Sequence, residues 1–202
     1  MKMNISPVLH SSLIDADDSI LIVIDVQDYF VAKLPQDAQQ PLIKRIAWLI
    51  GVATHLKIPL VVTGEDIPNC GTVSSQIAQI LSPDVPIYNK MVFGLADDAQ
   101  IMAAVRKTGR KTAILIGLET DVCVTHSAIG LLQQGYQVAV VEDATASPET
   151  GHQFGLQRLR GAGILISSIK SLYYEWVRTV ARDDALKEKM AGELGYPSGI
   201  AL

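Results

Sequence analysis

The chain has 202 residues, 49% of them hydrophobic and 19% charged, which predicts a globular protein with a sizeable core and excludes a disordered chain. A formal net charge of −4 argues against a large nucleic-acid surface. The N-terminus lacks the apolar stretch of a signal peptide, the run 20–24 is too short to cross a membrane, and two cysteines argue against a disulfide framework. These features predict a cytoplasmic protein without membrane or nucleic-acid partners.

Short apolar runs predict strands, and apolar residues at helical spacing predict helices. In chain order these are a strand at 20–25, a helix from Pro41 to Ala53, a strand at 59–63, a short helix at 75–81, a short strand at 85–88, a helix at 96–108, a strand at 112–117, a helix at 123–134, a strand at 137–142, a helix at 149–159, a strand at 164–167 and a final helix at 169–182. Pro41 is assigned to the first turn of its helix, where a missing N–H is tolerated.

Alternating strands and helices indicate βαβ units with right-handed crossovers and helices on both faces of the sheet. The predicted fold class is therefore α/β, a three-layer α/β/α sandwich with a central, mostly parallel, Rossmann-like sheet of about six strands. No repeat or linker divides the chain. We expect a single domain over 1–202, with a core at about 18–182 and a C-terminal helix and tail at 169–202.

Two residues with side chains that could take part in catalysis follow predicted strands. Asp25 closes the first strand, where a carboxylate is costly unless it is paired; a general base and a structural cap or salt bridge are equally supported. Cys123 follows the strand at 112–117, at the start of a predicted helix whose unpaired N–H groups and dipole favour a thiolate. A buried cysteine often has only a packing role, so Cys123 alone is ambiguous. Both residues should lie at the carboxyl edge of the sheet.

Lys90 follows a possible short strand that leads to the same edge, although a single lysine is by default a solvated surface residue. Together, Asp25, Lys90 and Cys123 form a consistent set of base, cation and thiol. The carboxylate can take the thiol proton, and the lysine would stabilise the resulting charges. No histidine stands at local spacing to form a pair with Cys123, so a carboxylate base must be considered.

The sequence resembles the isochorismatase-like cysteine hydrolase superfamily, which includes isochorismatases, nicotinamidases and N-carbamoylsarcosine amidohydrolases. The resemblance spans Ile20 to about Ser168 and is carried, in family order, by Ile-Asp-Val-Gln-Asp-Tyr-Phe at 24–30, Lys-Met-Val-Phe-Gly at 90–94, Gly-Leu-Glu-Thr-Asp-Val-Cys-Val-Thr-His-Ser-Ala at 117–128, and Gly135 through Ala144. Each segment alone is weak, whereas the ordered set is specific.

This resemblance implies an isochorismatase-like hydrolase fold and a catalytic triad of Asp25, Lys90 and Cys123. It also implies a cis peptide bond at Leu118–Glu119 that aims the backbone N–H groups of Glu119 and Cys123 at one point, the oxyanion hole. The implied reaction is cleavage of a small amide, carbamoyl or imide compound through a Cys123 thioester. Family members are commonly oligomeric, so a homo-oligomer is expected.

The substrate pocket is expected near the first loop and beside the thiol. Gln27, Phe30 and Val122 are the candidates for its lining, and packing of the first loop explains Gln27 and Phe30 equally well. The specificity loops match no branch of the superfamily, so the sequence leaves the substrate open.

The sequence departs from the metal-dependent nicotinamidases, which carry an Asp-x-His segment after the second strand. The corresponding region, 63–70, has no histidine, and Glu65 and Asp66 offer only oxygen ligands, which disfavours a transition metal. We expect no metal and no cofactor. Isochorismatases cleave a vinyl ether and do not need a thiol nucleophile in the same way, so Cys123 mildly favours C–N cleavage and leaves ether hydrolysis as an alternative.

Two further functions compete with a hydrolase. A nucleotide-binding oxidoreductase is disfavoured because no Gly-x-Gly-x-x-Gly follows Asp25. A non-enzymatic thiol sensor or oligomeric scaffold that kept the triad stays open.

The remaining candidate residues are weaker. His126 shares a helical face with Cys123, but a packing role is favoured, and Cys70 is interpreted as incidental. His10, His55 and His152 show no ligand spacing. The aromatic residues of the run 172–178 suit a subunit interface and a monomer core equally well.

Overall fold

The computed structural model describes residues 13–192 and Pro197. Within them a sheet of six parallel strands forms the centre: β1 (Ser19–Ile24), β2 (Leu60–Glu65), β3 (Ile87–Lys90), β4 (Thr112–Leu118), β5 (Gln137–Ala146) and β6 (Leu165–Ser167). Their order is β3-β2-β1-β4-β5-β6, and every adjacent pair is parallel. The strand order reverses between β1 and β4, which is where open α/β sheets form a crevice at the carboxyl ends of the strands. The predicted fold class is confirmed.

Helices cover both faces of this sheet. They are α1 (Asp28–Val31), α2 (Gln36–His55), α3 (Ile67–Cys70), α4 (Ser75–Ala78), α5 (Ala99–Lys107), α6 (Thr125–Gln133), α7 (Gly151–Gly161), α8 (Ile169–Val177) and α9 (Val180–Met190). Short 3₁₀ turns lie at Ala16–Asp18 and Leu95–Asp97, and a π-helical turn at Thr120–Val124 leads into α6. No helix in the described part of the chain is long and apolar enough to span a bilayer.

The first strand shows why the central runs are continuously apolar. Leu21 and Val23 of β1 join the hydrophobic cluster under α2 and α8, whereas Ile20, Ile22 and Ile24 join the cluster under α5, α6 and α7. All six residues of β1 are buried. Because parallel strands in such a fold are covered on both faces, neither face needs polar side chains, and the aliphatic run at 20–24 follows from this packing.

One predicted helix starts earlier than its sequence pattern indicated. Helix α2 begins at Gln36, so Pro41 lies inside the helix rather than opening it. The residues from Gln36 to Gln40 are polar except Ala38, and all but Gln39 are exposed, so the first turn of α2 shows no apolar periodicity. The missing N–H of Pro41 leaves this first turn with one intrahelical bond fewer.

Two other predicted helices are interrupted. The prediction for 96–108 covers a 3₁₀ turn and then α5, because Asp98 between them caps α5 by accepting the N–H groups of Gln100 and Ile101. The prediction for 169–182 is divided at Arg178, which has φ +65° and donates its guanidinium to the carbonyls of Leu13 and Ile14. The apolar periodicity of the helix cannot predict these bonds to a distant segment.

Strand β3 runs two residues later than predicted, and β2 extends two residues further, to Glu65. The two strands pair in the register Gly64 with Asn89 and Glu65 with Lys90. This shift places Glu65 and Lys90 side by side at the carboxyl edge.

Candidate active site

Asp25 is the first residue beyond β1 and is held in an unusual backbone conformation. Its φ is +50°, a value that residues other than glycine seldom adopt, and such strain is found where the surroundings fix the conformation. The Asp25 N–H donates to the carbonyl of Thr63 over 3.1 Å, and the Thr63 hydroxyl donates to Asp25 Oδ1 over 2.8 Å. The carboxylate is therefore oriented by β2 while it is fully buried.

Lys90 ends β3 and is also fully buried, contrary to the default for a single lysine. Its Nζ lies 3.0 Å from Asp25 Oδ2 and donates to the carbonyls of Val92, over 2.7 Å, and Phe93, over 3.3 Å. The contact with Asp25 Oδ2 is therefore a close, buried ion pair, in which the carboxylate oxygen keeps a second lone pair that can accept a proton.

Cys123 reaches the same edge through the turn after β4. Gly117 has φ +119°, and a Cβ at this position would lie 2.0 Å from the carbonyl oxygen of Ile24, so only glycine allows β1 and β4 to approach this closely. The peptide bond between Leu118 and Glu119 is cis.

The helical segment after this turn begins at Thr120 rather than at the predicted Cys123. The N–H groups of Val124 and Thr125 donate five residues back, to the carbonyls of Glu119 and Thr120. Such π-helical turns are common at functional sites. The thiol is consequently carried within the first turn, and Cys123 is only 3% exposed.

Glu65 is the site residue that the sequence did not identify as chemical. Its Oε2 accepts the Cys123 thiol over 3.0 Å and lies 3.4 Å from Lys90 Nζ. The only signal in the sequence was its position after the second predicted strand, and there it was considered solely as a cation ligand. The structure therefore brings two carboxylates, one ammonium and one thiol together.

Gln27 fixes the backbone of Glu65. Its Oε1 accepts the Glu65 N–H over 2.7 Å, and its Nε2 donates to the carbonyls of Glu65, over 2.8 Å, and Gly71, over 2.6 Å. Gln27 is fully buried. Its observed contacts are thus with the backbone of the neighbouring strand and loop, and a role in the pocket stays a prediction.

Burial dominates the proton affinities in this cluster. It raises the pKa of Asp25, and the opposing effects of Lys90 and of the Thr63 hydrogen bond do not cancel the shift. The Cys123 pKa is raised by burial and then by the negative charge of Asp25. Burial opposes the charged form of Lys90, but Asp25 and Cys123 outweigh it and the Lys90 pKa lies above its ordinary value. The resting thiol is therefore protonated.

The same cluster offers three ligand atoms to a metal ion. Ligand atoms of Asp25, Glu65 and Cys123 lie within 4.8 Å of one another. The ammonium of Lys90 contacts both carboxylates, however, so a metal ion bound between them would face a positive charge. The donor set also has no histidine. The arrangement suits an internal cation better than a metal ion.

The other two pocket candidates lie at different depths. Phe30 is buried and contacts Tyr29 edge-on, and the ammonium of Lys33 lies 4.5 Å from the centre of its ring. Lys33 also forms an ion pair of 3.1 Å with the side chain of Glu119. Val122 is half-buried and packs against the cluster under α5, α6 and α7. Their contact with a substrate remains a prediction.

The remaining candidates are the histidines and Cys70. His126 is exposed and its ring lies 6.4 Å from that of Phe93, edge-on, in keeping with a packing role. His152, for which no partner was predicted, hydrogen-bonds through Nδ1 to the Thr120 hydroxyl at 2.9 Å, and burial lowers its pKa. Cys70 is half-buried at the end of α3, and His10 lies outside the described residues.

Comparison with known proteins identifies the family. The profile of the isochorismatase domain matches residues 19–171. The secreted isochorismatase effector Isc1 of Phytophthora sojae (strain P6497) is 29% identical over 194 residues, covering 90% of each chain. Isochorismatase domain-containing protein 2 of Bos taurus is 31% identical over 163 residues, covering 79% of this chain and 75% of its own.

A solved structure supports the same fold. The YcaC gene product of Escherichia coli, described as an octameric hydrolase of unknown specificity, superposes with a TM-score of 0.76 at 21% identity, covering 90% of this chain and 92% of its own. The family profile covers most of the chain, and the sheet order and helix layers agree with that fold. This chain belongs to the isochorismatase family of hydrolases.

Proposed function

We propose that this protein is a cysteine amidohydrolase that cleaves the C–N bond of a small amide, carbamoyl or imide substrate. One observation carries the proposal: the buried Cys123 thiol lies within 4.8 Å of a buried Asp25 carboxylate that is ion-paired to Lys90. A thiol, a base and a cation at the crevice edge of an α/β sheet suit nucleophilic acyl transfer.

The first half-reaction forms a thioester. Asp25 Oδ2 takes the thiol proton as Cys123 Sγ attacks the carbonyl carbon, and the electron pair of the C=O bond moves onto oxygen. The backbone N–H groups of Glu119 and Cys123 are the proposed donors to that oxyanion. As the C–N bond breaks, Asp25 returns the proton to nitrogen, and ammonia or an amine leaves.

The raised thiol pKa shapes this mechanism. A free cysteine titrates at about 8.5, and Cys123 lies above that range, so little thiolate exists before the substrate binds. Proton removal must then accompany the attack, which requires a base within reach and a fixed cation. Asp25 and Lys90 supply both. A thiol sensor, in contrast, needs a thiolate in the resting protein, so the same shift argues against the sensor alternative.

The charge of the site favours neutral substrates. Asp25 and Glu65 surround one ammonium, Lys90, while the nearby Lys33 is paired with Glu119. A dicarboxylate such as isochorismate would enter against two carboxylates with no unpaired cation among these groups. Amide, carbamoyl and imide groups are neutral and donate N–H bonds to carboxylates. This balance supports C–N cleavage over the vinyl-ether alternative.

Three further expectations accompany this function. A homo-oligomer is supported by the octameric description of the E. coli YcaC protein. A cytoplasmic location remains a prediction, and the relative from Phytophthora sojae is named as a secreted effector. A single domain spanning 1–202 likewise remains a prediction.

Ammonia release tests the proposal. Wild type, Cys123→Ala and Cys70→Ala are incubated with a panel of small amides, ureido acids and nicotinamide. Cys70→Ala is the matched control because it removes the other thiol of the chain. We expect at least one substrate to release ammonia with wild type and Cys70→Ala and not with Cys123→Ala.

Two results would contradict this assignment. Full turnover by Cys123→Ala would exclude the thiol as nucleophile. Pyruvate release from isochorismate, with no ammonia from any amide, would favour the ether-cleaving alternative instead.

A further inference from the structure

Glu65 has no part in the acylation steps above, yet it contacts the reacting sulfur. Its Oε2 is 3.0 Å from Cys123 Sγ, and its second close neighbour is Lys90 Nζ at 3.4 Å. Asp25 can serve as base for the thiol without any contribution from Glu65. A second carboxylate beside a thiol raises the pKa of that thiol and so disfavours the reactive thiolate. Its presence beside Cys123 therefore calls for a role of its own.

Exposure to solvent separates the two carboxylates. The side chain of Asp25 is 1% exposed and that of Lys90 is 0% exposed, whereas that of Glu65 is 19% exposed. A water molecule arriving from solvent can therefore meet Glu65 without passing the ion pair. Asp25 is itself one member of that pair, and its Oδ1 accepts the Thr63 hydroxyl.

The position of Glu65 is fixed from behind. The Gln27 amide binds both the N–H and the carbonyl of Glu65, at 2.7 and 2.8 Å, and the pairing with Lys90 holds the same residue from β3. The carboxylate is thus carried on a strand end whose backbone groups are held on two sides. Such preorganisation suits a group that transfers a proton at a set position.

We infer that Glu65 is the catalytic residue of the second half-reaction, thioester hydrolysis. This inference rests on the proposed acylation of Cys123. Glu65 takes a proton from water as the water oxygen attacks the thioester carbon, and the C=O electron pair moves onto oxygen. When the C–S bond breaks, the electron pair returns to sulfur and Glu65 gives its proton to the thiolate over the observed 3.0 Å contact. The carboxylic acid product leaves, and thiol and carboxylate are restored.

Each half-reaction therefore uses a different carboxylate. Asp25 shuttles the proton between sulfur and the leaving nitrogen, and Glu65 shuttles it between water and sulfur. The prediction is specific, because loss of Glu65 should leave acylation intact and trap the acyl-enzyme.

The test uses 4-nitrophenyl acetate, whose 4-nitrophenolate needs no proton to leave, so that it reports acylation apart from the acid step. Wild type, Glu65→Gln and Asp28→Asn are mixed with it in a stopped-flow spectrophotometer, and the acetylated protein is followed by intact mass spectrometry. Asp28→Asn is the matched control, because Asp28 is an exposed carboxylate at the same edge of the sheet.

We expect Glu65→Gln to release a burst of about one nitrophenolate per chain and then to turn over roughly 10²- to 10⁴-fold more slowly than wild type, the range of general acid–base catalysis. Acetyl-Cys123 should accumulate in this variant only. The far-UV circular dichroism spectrum and the urea unfolding midpoint of the variant should match those of wild type, which shows that the variant is folded. Asp28→Asn should match wild type in both phases.

Other outcomes overturn the inference in distinguishable ways. A Glu65→Gln variant with unchanged turnover would exclude a deacylation role. So would a variant in which burst and turnover fall together while circular dichroism and urea unfolding match those of wild type. If acetyl-Cys123 forms in neither protein and Cys123→Ala hydrolyses the ester as fast as wild type, the proposed nucleophile is removed, and the inference with it.

Discussion

Removing the Lys90 ammonium should expose how strongly the site depends on its internal cation. Substitution Lys90→Met keeps an unbranched side chain of similar length but deletes the charge. It leaves Asp25 buried, with its hydrogen bond from Thr63, and close to the carboxylate of Glu65. The carbonyls of Val92 and Phe93 also lose their donor.

The expected loss follows from the geometry. Two unit charges 3.0 Å apart attract by about 5.5 kcal/mol at an effective dielectric constant of about 20. Deleting one partner of a buried pair costs about 3–5 kcal/mol, because the other charge stays desolvated. Typical domains have a free energy of unfolding of about 5–15 kcal/mol, so the variant should be folded but much less stable than wild type at pH 8.

The loss should depend on pH. The pKa of Asp25 is already raised by burial, and removal of Lys90 raises it further because the lysine lowers it. The folded variant then binds a proton more tightly than the unfolded chain. The contribution of Asp25 to the stability of the variant should be fully present below about pH 4, the ordinary range of an aspartate, and should be lost as the pH rises through the raised pKa.

Urea unfolding followed by circular dichroism at pH 5 and pH 8 measures this difference. We expect the deficit relative to wild type to be clearly larger at pH 8. The double variant Asp25→Asn/Lys90→Met, which leaves neither charge of the pair, should recover most of it. A deficit below about 1 kcal/mol at pH 8, or one of equal size at both pH values, would refute the assumption of a charged, desolvated pair.

Three other predictions test the scaffold and the thiol. Gly117→Ala should lower the free energy of unfolding, measured in urea, by more than about 3 kcal/mol, because its Cβ would lie 2.0 Å from a backbone oxygen. Gly161→Ala, with open space at its Cβ, should leave the stability unchanged. Equal effects of the two substitutions would contradict the close approach of β1 and β4. Iodoacetamide alkylation of Cys123 should increase about tenfold per pH unit beyond pH 9, since its raised pKa delays the plateau, and a plateau near pH 8.5 would contradict the buried, protonated thiol. Gln27→Leu should lower the free energy of unfolding by at least about 2 kcal/mol, because three backbone groups lose their partner, and should lower turnover by displacing Glu65. Normal stability and normal turnover together would show that the Gln27 amide does not hold Glu65 in place.

Local patterns succeeded where a residue type has one physical solution. The aliphatic run of β1 is buried on both faces, and it could only be a central strand. They failed where a distant contact decides the local structure. At the division between α8 and α9, Arg178 donates to the distant carbonyls of Leu13 and Ile14, and Thr179 caps α9. The early start of α2 lies in a turn without an apolar period.

The sequence by itself determined the layered α/β fold, because strands buried on both faces and helices with one apolar side have few ways to pack. It also determined that Asp25 and Cys123 end at one edge, since parallel strands align their carboxyl ends. Only the tertiary structure decided that Lys90 is buried and that Glu65 contacts the thiol. Both depend on the register of β2 with β3, in which Glu65 and Lys90 are partners. That register is set by packing between strands far apart in the chain, and no local spacing records it.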